Sequence, residues 1–211
     1  DVVGGLYLKG QGDPTLDTAD LVALAQDLAA LGVRRIDEVR VDGSYFDDRI
    51  LPPAFEQQPD EVAPFRAAVA AVSVNANAYT IRVQPGATLG TPARVHLDGA
   101  GHFVVTNKLV TATGGVPNVI ATQGMKGDKL LLHLAGTVPI GVREVSYRRR
   151  VESPLHYAGY ALVDALRAMR IQVPERVTLG RTPPDAALLA WHASPPLSQT
   201  LLALGKHSDN F

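Results

Sequence analysis

Between residues 2 and 8 the apolar positions alternate well enough for a β-strand, and Gly10-Gln11-Gly12-Asp13-Pro14 ends it. Helical spacing takes over at Leu21, Leu24, Ala25, Leu28 and Leu31. Asp17 stands at the N-cap, Asp20 three places on completes a capping box, and Gly32 supplies the stop. Ile36, Val39 and Val41 predict a second strand within 33–42, so the chain opens as an α/β unit. Four prolines, Pro52, Pro53, Pro59 and Pro64, make 51–64 a loop. Residues 65–71 are alanine-rich and read as helix by propensity alone. Val72, Val74, Tyr79, Ile81 and Val83 predict a strand across 72–83.

From 85 to about 138 the pattern changes. Short β-branched runs at 94–97, 103–106, 119–122 and 130–134, set off by Gly and Pro, predict a small all-β insert. Ser153-Pro154 then starts a helix with Leu155, Ala158, Leu162, Ala165, Leu166 and Met169 on one face. Residues 177–179 and 188–193 are candidate strands. Pro195-Pro196 opens a last helix through about Leu204, which runs into Lys206-His207-Ser208-Asp209-Asn210.

The 211 residues are 46% hydrophobic and 19% charged, which suits a globular chain with a buried core. A net charge of -1 offers no electrostatic argument for nucleic acid or an anionic membrane. The absence of cysteine excludes disulfides and thiolate chemistry but leaves the compartment open. No apolar run has bilayer-crossing length, and no signal peptide is visible. The start at Asp1 rather than Met suggests a trimmed piece of a longer chain.

Most polar clusters have ordinary readings. Asp42, Ser44, Asp47 and Asp48 lack the glycine and closing glutamate of an EF-hand loop, so a polar strand end is expected. The six histidines show no H-E-x-x-H pattern and are expected to be surface or core residues. Gly99-Ala100-Gly101 and Gly114-Gly115 read as tight turns rather than a dinucleotide fingerprint. Arg148-Arg149-Arg150 reads as a solvated strand or loop rather than an anion grip. Ser208-Asp209-Asn210, taken alone, is a turn or N-cap tripeptide.

Three ordered groups of residues change that last reading. The first is Gly12-Asp13-Pro14-Thr15-Leu16 with Val41-Asp42-Gly43-Ser44-Tyr45-Phe46-Asp47. The second is Val72-Ser73-Val74-Asn75-Ala76-Asn77. The third is His192-Ala193-Ser194-Pro195-Pro196-Leu197, running on to Ser208-Asp209-Asn210. Together they resemble the class C low-molecular-mass penicillin-binding proteins, the DacB-type D-alanyl-D-alanine carboxypeptidase/endopeptidase family of serine peptidases. The resemblance covers nearly the whole chain and is weakest from about 88 to 138. Such enzymes place S-x-x-K, S-x-N and K-T-G motifs around one site. Ser208-Asp209-Asn210 matches the middle motif. No other serine has Lys three places on, and none of the five lysines begins K-T-G or K-S-G.

The resemblance implies an α+β / α/β multidomain fold. In it an α/β insertion domain (1–84 and 139–182) carries a small all-β subdomain (85–138). Residues 183–211 would begin a penicillin-binding, transpeptidase-like catalytic domain. The implied activity is acyl transfer from D-Ala-D-Ala through a serine acyl-enzyme, with no cofactor or metal. Ser208 would relay a proton between the S-x-x-K lysine and the leaving amine, since a hydroxyl both donates and accepts. Asn210 would hydrogen-bond the substrate's amide backbone, and Lys206 would add positive charge nearby. Asp60 is the candidate partner for the free amino end of the stem peptide, with Phe65 as a wall of that pocket. The implied partners are the peptidoglycan stem peptide and beta-lactam antibiotics, with no nucleic acid. Membrane association is left open. The implied location is the periplasm or the exterior. Without the nucleophile these residues alone are expected to be inactive. A non-catalytic module that binds cell-wall peptide, or shapes a neighbouring site, stays open beside the enzyme reading.

Overall fold

A computed structural model describes residues 1–52, 55 and 61–207. Among them the elements run β1 Val2–Lys9, α1 Thr18–Ala30, β2 Arg35–Asp42, β3 Ala78–Gln84, β4 Arg94–Leu97 and β5 Phe103–Ala112. They continue as β6 Asn118–Lys126, β7 Lys129–Pro139, β8 Val145–Arg150, α2 Pro154–Ala168, β9 Val177–Leu179 and α3 Leu197–His207. The result is a mixed α/β molecule with three small sheets.

The first sheet is parallel, in the order β1-β2-β9. Parallel neighbours need a crossover, and α1 provides it. The capping box forms as its residues require: Asp17 Oδ1 accepts from Ala19 N at 2.7 Å and Asp20 N at 3.1 Å. Asp20 Oδ2 in turn accepts from Asp17 N at 2.9 Å. Leu21, Ala25 and Leu28 bury the inner face of α1, and Ile36, Val39 and Val41 bury that of β2. Helix α2 packs against α1, β2 and β9. Gly159 allows the approach, because a Cβ there would lie 2.4 Å from Val177 Cγ1 and 2.8 Å from Val41 Cγ2.

The second sheet is antiparallel, β4-β3-β8. The third is β5-β7-β6, with β6 and β7 joined as a hairpin at Gly127-Asp128 and β5 parallel to β7. Period-two burial is clear on β7, where Leu130, Leu132 and Leu134 face the core.

Four local expectations change in the folded chain. The alanine-rich stretch is helical only over a single 3-10 turn, Pro64–Arg66, and is extended after it. Its backbone groups are bonded from outside. Ala68 O accepts from Asn77 Nδ2, Ala70 O from Ser73 Oγ and Ala71 O from Gly12 N. Val69 N donates to Ile50 O at 2.8 Å. Small side chains suit this stretch because Ala67, Ala68, Ala70 and Ala71 are all buried. The strand predicted across 72–83 is broken, since Asn75, Ala76 and Asn77 take left-handed φ values of 55°, 55° and 46°. Only Ala78–Gln84 pairs as a strand. Residues 188–193 form no strand and join no sheet. The arginine run is strand β8, but Arg150 is buried and its guanidinium lies 3.6 Å from Glu152.

Candidate functional site

The three segments that carry the family resemblance meet at one place. Strand β1 ends at a turn whose backbone lies against the extended alanine stretch. A Cβ on Gly10 would fall 2.0 Å from Ala71 O, so only glycine fits there. Gly12 N donates to Ala71 O at 2.9 Å, and Asp13 forms a parallel bridge to Val72. Asp13 then shapes its own turn: Oδ1 accepts from Thr15 N at 2.8 Å and from Thr15 Oγ1 at 2.7 Å.

The second segment locks onto the first through Asn75, and Asn77 ties it to the alanine stretch. Asn75 N donates to Leu16 O at 3.0 Å, and its amide bonds Thr18 at both ends, Oδ1 from Thr18 N and Nδ2 to Thr18 Oγ1. The same Nδ2 reaches Tyr157 Oη on α2 at 3.0 Å. Burial pushes the Tyr157 phenol up to about 12, the Asn75 bond opposing, so it stays neutral. Asn77 is fully buried and saturated: Nδ2 donates to Ala68 O and Ser73 Oγ, and Oδ1 accepts from Val74 N. A left-handed backbone of roughly 1–2 kcal/mol per residue is tolerated because these bonds require it.

The chain returns through a strap, 182–196, that includes the start of the third segment and touches the body at two points. At its start Thr182 N donates to Asp42 Oδ2 at 2.8 Å, while Ser44 N donates to Asp42 Oδ1 at 3.0 Å. Burial would raise the Asp42 carboxyl, but hydrogen bonds from Ser44 and Thr182 outweigh it and hold it far below the carboxylate range. Further on, His192 lies between two carboxylates. Its Nε2 is 3.5 Å from Asp13 Oδ2 and its Nδ1 is 3.5 Å from Asp20 Oδ1. Between these anchors the strap borders a cavity of about 580 Å³ formed with β1, α1 and Leu162 of α2. Its lining is mostly apolar, with Lys9 and Tyr7 as the polar-tipped exceptions on β1.

Of the site residues expected from the sequence, Ser208, Asn210 and Asp60 lie outside the described residues. Helix α3 runs to His207, immediately before Ser208. Phe65 sits in the 3-10 turn Pro64–Arg66 and is largely exposed, at 59%. Asp13, Asp20 and His192 were visible only as turn, cap and segment residues. Nothing local in the sequence links them.

A second polar cluster lies at the β6–β7 turn. Tyr160 Oη donates to Asp128, Lys129 Nζ donates to Gly101 O, and the Lys129 amine stands 3.5 Å over the Tyr160 ring. His102 is buried beside Phe103, Tyr157 and Tyr160, and neither ring nitrogen has a hydrogen-bond partner among the described residues. Burial, with the nearby His156 and Lys129 charges, lowers it to about 4, so it is neutral.

The structure matches that of penicillin binding protein 4 (dacB) from Haemophilus influenzae with a TM-score of 0.70. That match is at 20% identity and covers 98% of this chain and 46% of the other. A beta-lactam complex of the same Haemophilus protein matches with a TM-score of 0.63 at 19% identity, over 98% and 44% of the two chains. In sequence, a D-alanyl-D-alanine carboxypeptidase of Actinomadura sp. strain R39 is 32% identical over 219 residues, which is 99% of this chain and 40% of that protein. The D-alanyl-D-alanine carboxypeptidase DacB of Haemophilus influenzae is 23% identical over 98% of this chain and 43% of its own length. The D-Ala-D-Ala carboxypeptidase 3 (S13) family matches residues 1–211, and the chain belongs to that family. It spans about two fifths of the length of these curated relatives.

Proposed function

We propose that the longer protein to which these residues belong is a serine D-alanyl-D-alanine carboxypeptidase/endopeptidase. It would act on peptidoglycan stem peptides in the cell envelope and be acylated by beta-lactams. The observation that carries this reading is the S13 family match along the entire chain, with Ser208-Asp209-Asn210 directly after α3. In this reading 1–84 and 139–182 form an α/β insertion domain and 85–138 a small β subdomain. The strap and α3, within 183–211, begin the catalytic domain. The β5-β7-β6 sheet, which falls almost wholly within 85–138, supports the β subdomain.

The chemistry follows from the residue types. An acyl-enzyme needs a nucleophile, a proton relay and donors that hold the substrate amide. Ser208 passes the lysine-held proton to the leaving D-Ala amine, and Asn210 orients the peptide amide. Asp60 and Phe65 contribute to the side-chain pocket, a role to which the exposure of Phe65 is suited. The serine nucleophile and the K-T-G donors lie beyond these 211 residues, because neither motif occurs in them.

The test is labelling of the full-length protein with a fluorescent penicillin, alongside D-Ala release from a stem-peptide substrate. The full-length protein is expected to label and to turn over, and the 211-residue chain is expected to do neither. Ser208→Ala should lower turnover roughly 100-fold, the scale of a lost proton relay. A full-length protein that neither labels nor releases D-Ala would replace this reading with a non-catalytic wall-binding module.

A further inference from the structure

The β5-β7-β6 sheet buries one face through Leu130, Leu132 and Leu134 and leaves the other bare. In register, Thr106 lies opposite His133, and His133 opposite Thr122, so these three side chains share the outer face. Two residues on, Lys108, Ala135 and Ile120 make the next row, followed by Val110, Thr137 and Asn118. All nine residues are exposed, including the three on the central strand β7. A central strand is open to solvent only where nothing packs over it. No other element covers this face among the described residues.

The chemistry of the face is interleaved. Thr106, Thr122, Thr137 and Asn118 carry groups that both donate and accept hydrogen bonds. Val110 and Ile120, the latter 57% exposed, lie among them as apolar ground. A sugar chain has the matching character, with hydroxyls at the rim of each ring and apolar C–H groups on its faces. Charge narrows the partner further. Strands β5, β6 and β7 contain no Asp or Glu. Residues 99–143 hold four Lys/Arg and one acid, whereas the whole chain holds 20 and 21. That one acid, Asp128, is engaged by Tyr160 Oη. Lys108 in the second row and Lys126 at the hairpin end are exposed. The face therefore favours a partner that bears carboxylates. It runs roughly 20 Å from Val104 to Val110 and about 10 Å across the three strands. Sites for compact ligands are concave, and a flat strip of this length suits an extended polymer instead.

We propose that the outer face of the β5-β7-β6 sheet is a second binding surface, for the peptidoglycan strand itself, and this rests on the peptidoglycan reading given above. The threonine and asparagine rows and the apolar ground between them meet the glycan, and Lys108 and Lys126 meet carboxylates of its attached peptides. The surface holds polymer and takes no part in acyl transfer. It gives the protein a preference for insoluble wall over free stem peptide.

The experiment uses the full-length protein, first blocked with penicillin so that the acylation site is occupied. It is co-sedimented with purified peptidoglycan stripped of attached phosphate polymers. Wild type is expected to pellet, less so as salt rises. Lys108→Glu/Lys126→Glu should weaken pelleting roughly ten-fold. Both lysines are exposed, so the variant should fold. Thr122→Ala/Thr137→Ala should weaken pelleting without changing its salt dependence. In unblocked protein the charge-reversed variant should keep penicillin acylation and D-Ala release from a soluble stem peptide within about two-fold of wild type, while release from intact peptidoglycan falls. Equal pelleting of wild type and the charge-reversed variant would overturn the proposal, as would pelleting that requires the phosphate polymers. A parallel loss of acylation would place the face against the rest of the longer chain, and a dimer lost in the variant would place it against a second copy; either overturns it. A wild type that pellets through this face but is never acylated defeats the enzyme reading and leaves the surface standing. A wild type that is acylated but does not pellet defeats only the surface.

Discussion

Helices α2 and α3 are both rich in apolar residues, yet they bury them very differently. In α2 ten of fifteen residues are buried, from Pro154 through Leu166, between α1 and the β1-β2-β9 sheet. In α3 Leu197, Leu201, Leu202 and Leu204 are all exposed. The leucines of α3 recur at helical spacing, so the helix has an apolar stripe without a matching surface among the described residues. The contrast shows that periodicity predicts a helix equally well in both places but predicts its energetic contribution in neither. Helix α2 is part of what holds this chain together. Helix α3 buries little apolar surface among the described residues.

The largest test of that contrast is Leu166→Ala in α2. Leu166 is fully buried, and the substitution should cost roughly 3 kcal/mol as a cavity forms, seen as a lower urea midpoint with unchanged m. A loss under about 1 kcal/mol would show that α2 is not the core element the burial implies.

Next is the histidine that α2 covers. His102 packs on Tyr157 and Tyr160 and is lowered to about 4, first by burial and then by His156 and Lys129. Its folded value lies below the unfolded value near 6.5, so the unfolded chain takes the proton first as pH falls. Stability should be full above about pH 6.5 and decline by roughly 2 kcal/mol between pH 7 and 5. Urea titrations at both pH values, on wild type and His102→Leu, isolate this contribution. An equal pH slope in the two proteins would refute it.

A smaller effect is expected at the start of α1. Asp17→Ala removes the acceptor of two backbone N–H groups and should cost about 1 kcal/mol by the same denaturation measurement. Restoration by Asp17→Ser would tie the loss to capping. The smallest belongs to α3: Leu202→Ala should change the stability of the 211-residue chain by less than about 0.5 kcal/mol. A cost near that of Leu166→Ala would mean that α3 is packed in solution, and the contrast would fail.

Much of this architecture was legible because the signals are local. Asp17 and Asp20 specify a cap with groups three residues apart, and Gly32 accepts φ of 86° at the helix end. The alternation on β7 and the spacing on α2 survive in the fold for the same reason: each element buries the face its pattern presents. The alanine stretch misled because propensity is weak beside an offered set of partners. Asn77, Ser73 and Gly12 bond its carbonyls in the extended form. Arg150 misled because strand alternation turned one member of a charged run inward, beside Glu152. The motif Ser208-Asp209-Asn210 could be read only through its resemblance to a family, and it lies outside the described residues.

By itself the amino-acid sequence determined the α/β opening, the β-rich middle, the two long helices and membership of a peptidase family, since each rests on short-range patterns or on ordered segments. Only the tertiary structure decided that His192 faces Asp13 and Asp20, and that Asn75 bonds both Thr18 and Tyr157. Those contacts join residues far apart in the chain, and no periodicity records which distant carboxylates an imidazole will face.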